Sequence, residues 1–379
     1  MRSTRVVIVG AGLSGLYAAY LLERQGISDY VLLEARDVLG GRIASINAMG
    51  DDVQHATSPL NDIDRFDLGP TWFWPSFQPA LSQLVDDLGL ERFQQFEKGD
   101  MLVEQTRDGC AVRMRGYVNS PRSMRLVGGM GTLIEALART LSLENIFTNQ
   151  AVLRIRKCDD RVLVDSEDST GTATSWLAEH VLLALPPRLI DSNITFEPPL
   201  PDELAKQWRA TTTWMAPHAK YIAIYDTPFW RNEQLSGAAR SVRGPLAEIH
   251  DASIPGGSAA LFGFVGVPAS ERNTVLEDVL REQCRMQLAR MFGPAALKPK
   301  AEHFKDWAKD PFTATAADVE TTSQHPHAPP AGVSSGPWLR CLTGIASEWS
   351  SQFPGYLAGA IEAADLGIQA LTGHVPEST

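Results

Sequence analysis

The chain has 379 residues, long enough for two domains or one large one. Its composition, 44% hydrophobic and 21% charged, is that of a globular rather than a disordered protein. A formal net charge of -11 argues against a non-specific nucleic-acid binder, which needs a basic face to displace counterions from phosphates.

Residues 6–9 predict a buried strand, 13–25 a helix and 30–34 a second apolar strand, together a βαβ unit. Between the strands lies Gly10-Ala11-Gly12-Leu13-Ser14-Gly15, a Gly-x-Gly-x-x-Gly run that follows a strand and opens a helix. The first glycine permits a tight turn, the second lets backbone approach a pyrophosphate, and the third lets the helix pack on the sheet. The phosphates then face the helix amides and its positive dipole end. Glu34 ends the second strand about 20 residues on, where a carboxylate accepts hydrogen bonds from ribose hydroxyls, with Ala35 beside it. A nucleotide fold alone does not separate NAD from FAD. Leu39-Gly40-Gly41-Arg42 favours FAD, because two more glycines and a guanidinium form a second phosphate clamp.

Further along, 78–88 and 131–141 have helical spacing, and 151–157 with 161–165 alternate around Asp159-Asp160 as a hairpin. Residues 180–185 form an apolar strand stopped by Pro186-Pro187. Strands are expected at 221–225 and 259–265, a long helix at 273–292, a loop at 321–337 and a small-residue helix at 355–371. Cys110, Cys158, Cys284 and Cys341 lie far apart with no Cys-x-x-Cys pair, giving no zinc knuckle and no disulfide framework. The N-terminal apolar run is too short for a signal-peptide core, and nothing approaches the ~20 apolar residues of a membrane span. A cytoplasmic protein with no membrane partner is expected, and no metal site is read.

The run from Val6 through Glu34 to Gly40-Gly41-Arg42 resembles the flavin-dependent amine oxidase family, which includes monoamine and polyamine oxidases. Later segments match in order. Asp67-Leu68-Gly69-Pro70-Thr71-Trp72 is similar to a family segment near the flavin. Leu126-Val127-Gly128-Gly129-Met130-Gly131 resembles a second glycine-rich FAD contact, and residues 181–187 resemble a strand that returns to the FAD domain. Lys220, with Tyr225 and Pro228-Phe229-Trp230-Arg231, resembles the segment of an active-site lysine. Ser347-Glu348 and Pro354-Gly355-Tyr356-Leu357-Ala358-Gly359-Ala360 resemble the closing motif.

The resemblance implies a fold of α/β plus α+β class, like a short monoamine oxidase. A discontinuous Rossmann-type FAD-binding domain (1–75, 124–205 and 335–379) would carry a mixed-sheet substrate domain (76–123 and 206–334) with a reduced helical lid. It implies cofactor contacts from Gly69, Pro70, Thr71, Trp72, Val152, Gly355 and Tyr356, and from Glu348 at the ribityl or diphosphate region. Lys220 would hold a water against flavin N5, Trp307 would pack beside the isoalloxazine, and Tyr356 would form one wall of an aromatic cage. The implied reaction oxidises a small-molecule amine to an imine by hydride transfer to N5. Reoxidation would use O2, giving H2O2, or another electron acceptor.

Three departures matter. Thr313-Ala314-Thr315-Ala316-Ala317 stands where covalently flavinylated members carry a cysteine and a second cage tyrosine, so non-covalent FAD and an incomplete cage are expected. His327 is a candidate for that gap. Residues 76–123 are short for a roofing subdomain, and Gly344-Ile345-Ala346-Ser347-Glu348 matches the closing motif loosely. No counterpart of the family's C-terminal membrane anchor is expected. A flavin desaturase of carotenoid-like or porphyrinogen-like C–C bonds, and a flavin-binding protein without turnover, remain open at this point. So do the amine, the electron acceptor and the oligomeric state.

Overall fold

The structure, a computed structural model, describes residues 1–49, 63–320 and 327–373. β1 (Arg2–Val9) turns through Gly10 and Gly12 into α1 (Leu13–Arg24), which returns the chain to β2 (Tyr30–Leu33), parallel to β1. This is the βαβ unit expected from the sequence. Gly10 has a φ of 101°, a region that favours glycine. A Cβ on Gly15 would stand 1.9 Å from the Gly10 carbonyl oxygen, so only a glycine there lets α1 lie against the end of β1.

A short pair, β3 (Ser45–Asn47) with β4 (Arg65–Asp67), comes next. Segment 76–123 then supplies α2 (Pro79–Asp87), β5 (Arg92–Gln94), β6 (Asp100–Glu104) and β7 (Val112–Met114). β8 (Met124–Leu126) pairs with β5 and leads into α3 (Gly131–Thr140), and β9 (Ile146–Phe147) lies beside β2. The predicted hairpin is β10 (Ala151–Cys158) with β11 (Arg161–Glu167). β12 (Ala173–Leu183) is longer than the apolar run that announced it, because its first half pairs with β11 half exposed. α4 (Pro187–Asn193), β13 (Thr195–Glu197) and α5 (Asp202–Ala210) lead to the second sheet.

That sheet takes β14 (Ala219–Tyr225), then, after α6 (Phe229–Asn232), β15 (Leu235–Ser241), β16 (Leu246–Asp251) and β17 (Ala259–Val265). The helix expected at 273–292 begins later, as α8 (Glu277–Phe292), and a separate short helix, α7 (Ala269–Arg272), precedes it. Leu276 is extended, and Glu277 and Asp278 sit in the first turn of α8, where the helix dipole favours acids. β18 (Ala301–Asp306), α9 (Ala316–Glu320), β19 (Leu342–Gly344) and α10 (Leu357–Thr372) complete the chain. α10 starts two residues later than predicted because Gly355 has a φ of 83° and Tyr356 is extended. Of the predicted loop at 321–337, residues 321–326 lie outside the described residues, and 327–337 hold neither helix nor strand.

The first sheet runs β13-β10-β11-β12-β1-β2-β9, with β19 also on β12; the second runs β18-β14-β17-β16-β15-β6-β7. Val6 and Ile8 face α1, α3 and α10, while Val7 and Val9 face the side carrying Trp208, Trp338 and Trp349. The parallel centre is therefore covered on both faces, which is why residues 6–9 read as an unbroken apolar run. α2 packs through Leu81, Leu84 and Val85 on the first sheet's helices. Ile46, Phe66 and Leu68 meet Ile222, Ile224, Phe262 and Trp307, joining the β3–β4 pair to the second sheet. Rossmann-like and mixed-sheet parts thus form the expected α/β plus α+β architecture.

Gly15→Ala should cost about 3 kcal/mol or more, since the added carbon meets backbone that cannot yield. Urea unfolding of the ligand-free protein checks this, and wild-type stability in the variant would contradict it.

Candidate active site

The sheets enclose a cavity of about 850 Å³ at the carboxyl ends of the parallel strands, where Val9, Leu33 and Ala184 open on it. Of the residues singled out in the sequence, Gly10, Gly12, Leu13, Ser14, Glu34, Ala35, Gly41 and Arg42 border it. So do Gly69, Pro70, Thr71, Trp72, Val152, Lys220, Trp307, Gly355 and Tyr356. Gly15 and Glu348 do not. Gly15 serves the helix–strand contact described above. Residues 126–131, expected as a second glycine-rich cofactor contact, also lie off the wall. Gly129 instead makes room for Asp67: a Cβ there would stand 2.7 Å from Asp67 Oδ1, which accepts a hydrogen bond from Met130 N at 2.7 Å.

The two glycine motifs meet. Gly12 and Gly40 form a parallel bridge, and Gly40 N donates to Ala11 O at 2.9 Å. A Cβ on Gly12 would find nothing nearer than Gly40 O at 3.9 Å, and one on Gly41 nothing nearer than Gly12 Cα at 3.5 Å. Bare backbone therefore faces the cavity at the start of α1, a fit for a diphosphate. Glu34 accepts from Ala11 N at 2.7 Å through Oε2 and from Arg36 N at 2.9 Å through Oε1. Burial pushes its carboxyl up, and each oxygen keeps a lone pair for a ribose hydroxyl. Arg36, also on the wall, pairs with Asp310 at 2.8 Å and lies over Phe312 at 5.1 Å.

Glu348 departs from expectation. It is fully buried and holds Arg42 in a fork, at 2.5 Å from Nη1 and 3.1 Å from Nη2, while Ser347 Oγ accepts from the same guanidinium at 3.2 Å. The carboxylate is committed to the arginine, so it positions the cationic side chain that borders the cavity.

Lys220 leaves β14 and reaches the loop after β4. Its Nζ donates to Asp67 O at 2.7 Å, Gly69 O at 3.1 Å and Thr71 Oγ1 at 2.7 Å, and lies 4.1 Å from the Phe262 ring centroid. Burial lowers its pKa to about 7, against the opposing pull of Asp67. The neutral amine also fits: two N–H groups serve the carbonyls, and the Thr71 hydroxyl donates to the lone pair. Trp307 is buried, donates Nε1 to Leu68 O at 3.2 Å, and carries Lys305 Nζ 4.5 Å from its ring. Tyr356, half exposed, stands at the start of α10. Gly355 before it is pressed by Trp214, whose Cβ would be 2.5 Å from an added Cβ.

Sequence reasoning missed Trp74, Trp214, His218, Glu248, Phe264 and Phe312, all on the wall. Strand register brings two of them in. Lys220 pairs with Phe264 and Phe264 with Glu248, so β14, β17 and β16 set the three in one row. His250 Nε2 at 3.2 Å and Arg240 Nη2 at 3.6 Å from Oε1 hold Glu248 below the usual carboxylate range. His327 is exposed and does not border the cavity.

Known proteins resemble this chain in sequence and in fold. Residues 109–366 match the family described as flavin containing amine oxidoreductase, and residues 8–88 match an NAD(P)-binding Rossmann-like domain. Putrescine oxidase of Kocuria rosea is 26% identical, over 97% of this chain and 96% of its own. The flavin-containing amine oxidase B of Cavia porcellus is 24% identical, over 98% and 87%. In fold, putrescine oxidase solved with putrescine bound gives a TM-score of 0.77 at 20% identity, over 98% of this chain and 99% of that one. Cyclohexylamine oxidase from Brevibacterium oxydans gives 0.78 at 18%, over 97% and 98%. A C–C desaturase is not favoured by these matches. With a nucleotide cradle of the right shape and a family match over more than half its length, the chain belongs to the flavin-containing amine oxidoreductases, enzymes that use FAD to oxidise small-molecule amines.

Proposed function

We propose that this chain is an amine oxidase that holds FAD without a covalent bond, prefers an amine carrying a second positive charge, and delivers electrons to O2. The observation that carries the reading is that the nucleotide cradle, Lys220, Trp307 and Tyr356 open into one cavity. Gly12, Gly41 and Arg42 would hold the diphosphate, Glu34 the ribose, and Val152 the adenine end. All four cysteines are free thiols and none borders the cavity, which supports non-covalent binding and a reducing, cytoplasmic setting. Among the described residues no helix is long and apolar enough to cross a membrane. We assign 1–75, 124–205 and 335–379 to the FAD part and 76–123 and 206–334 to the substrate part. The two large sheets support that division, although α2 packs on the first.

When bound, FAD supplies the acceptor for a hydride from the carbon next to the amine nitrogen. The chain supplies the surroundings. Tyr356, Trp307 and Phe264 line the cavity with rings whose faces guide an amine in, while loss of water around the nitrogen favours its neutral, reactive form. Lys220 Nζ, titrating near neutrality, can give up its longest contact, to Gly69 O, and hold a water or a proton at the cavity face during reoxidation. Glu248 puts a carboxylate beside Phe264, suited to a second ammonium on the substrate. A diamine meets both demands, as the name of the Kocuria relative suggests.

Gly12→Val should fold like the wild type yet purify without FAD, because only the phosphate path is filled; a yellow, fully loaded variant contradicts the cradle. Lys220→Met should keep FAD and slow turnover about a hundredfold. Wild-type rate should rise with pH through about 7 as Nζ loses its proton. Between that pH and the ordinary lysine value only the unfolded chain binds this proton, so wild-type stability relative to the variant should climb with pH. Unchanged kinetics, or a flat stability difference, sinks the assignment. Glu248→Gln should raise KM about tenfold for a diamine and leave a monoamine of equal length within about twofold; equal effects on both refute the second-charge reading.

A further inference from the structure

Trp74 borders the cavity but belongs to none of the roles above. Hydrogen bonds on its backbone, its ring and its neighbours fix its placement. Phe73 and Met124 exchange backbone hydrogen bonds of 3.0 and 2.9 Å across an isolated bridge, which sets Trp74 beside Ser123. The indole Nε1 donates to Ser123 Oγ at 3.0 Å, and Trp74 N donates to Gln78 Oε1 at 3.0 Å. Ser123 is buried, its carbonyl accepts from Gln95 N at 2.9 Å, and Asn119 Nδ2 donates to its hydroxyl at 3.4 Å. With its one polar atom tied to that hydroxyl, the indole presents only ring carbon to the cavity.

The ring stands 6.5 Å from the Tyr356 ring at 82°, and Trp214 closes in on Gly355 from the chain neighbouring β14. An indole wall and a phenol wall therefore meet at a right angle on the cavity surface. Such a corner accepts a linear carbon chain and its neutral or charged nitrogen, and refuses a substituent that would overlap either ring. Residues 314–317, by contrast, contribute nothing to the wall.

We propose that Trp74 is a specificity-determining residue, which with Tyr356 selects unbranched primary amines, and that Ser123 is the positioning residue that fixes its ring. This rests on the amine-oxidase reading above and deepens its substrate class. The segment 76–123 thereby acts on specificity from behind, through one serine hydroxyl, rather than as a roof.

The test is steady-state turnover of FAD-loaded wild type, Trp74→Ala, Trp74→Phe, Ser123→Ala and Ser123→Thr with a linear primary amine and with a ring-bearing amine of similar carbon number. In Trp74→Ala, KM for the linear amine should rise about tenfold while kcat moves less than about threefold, and preference should shift toward the ring-bearing amine. Trp74→Phe should be intermediate. Ser123→Ala should shift KM the same way by about threefold, and Ser123→Thr, which restores the hydroxyl, should recover the wild-type value. If Trp74→Ala folds and holds FAD with an unchanged preference, the proposal is overturned while the amine-oxidase reading stands. If Trp74→Ala fails to fold, Trp74→Phe and the serine pair decide, and wild-type preference in all three overturns it. Should wild type turn over neither amine, nor a diamine, both readings fall together.

Discussion

The amine of Lys220 is where the two sheets become one site. It leaves a strand of the second sheet and ends on the carbonyls of Asp67 and Gly69 and the hydroxyl of Thr71, at the end of β4 and in the loop that follows it along the cavity. A buried cation is costly unless its donors are satisfied, so this loop can take few other paths. Apolar contacts of Phe66 and Leu68 with Ile222, Ile224 and Phe262 hold the same junction dry. That dryness is also what lowers the proton affinity of the lysine. The packing that joins the second sheet to the β3–β4 pair is therefore also what tunes the amine.

Around that junction, distant parts of the chain are tied to the nucleotide cradle by paired charges. Glu348 grips Arg42 from the far end of the sequence, and Asp310 grips Arg36 beside Glu34. Both arginines border the cavity, and both carboxylates stand behind them. The cradle thus has cationic side chains pre-oriented by buried anions, over a floor of bare glycine backbone. Asp67 plays a similar part, seated by Ser45 and Met130 N in the space that Gly129 leaves.

How much of this is legible in the sequence depends on whether the residues are neighbours in the chain. The cradle is contiguous, so its strand, glycines and acidic terminus can be read from 6 to 42 and are found in place. Lys220, Trp307 and Tyr356 reach the cavity as the resemblance implied. Glu348 does not, because a glutamate's neighbours in sequence say nothing of the arginine that will claim it. Glu248 and Phe264 are invisible for a different reason. β17 is apolar on both faces, and only its register with β14 and β16 decides which residues look into the cavity. β15 pairs in parallel with β6, a partner far earlier in the chain, and no local periodicity announces such a pairing. Trp74 is not legible either, because its place on the cavity follows from the bridge between Phe73 and Met124, which lie far apart in the chain.

The central claim is that the cavity joins a bound flavin to an amine under these walls. Its most direct measurement is an anaerobic titration of the purified, FAD-loaded protein with putrescine and with simple monoamines, followed by air. The account predicts loss of the oxidised flavin's visible absorbance in proportion to amine added, at lower concentration for the diamine, with the colour and one peroxide per flavin returning on exposure to air. A flavin that stays oxidised at every amine concentration would contradict it.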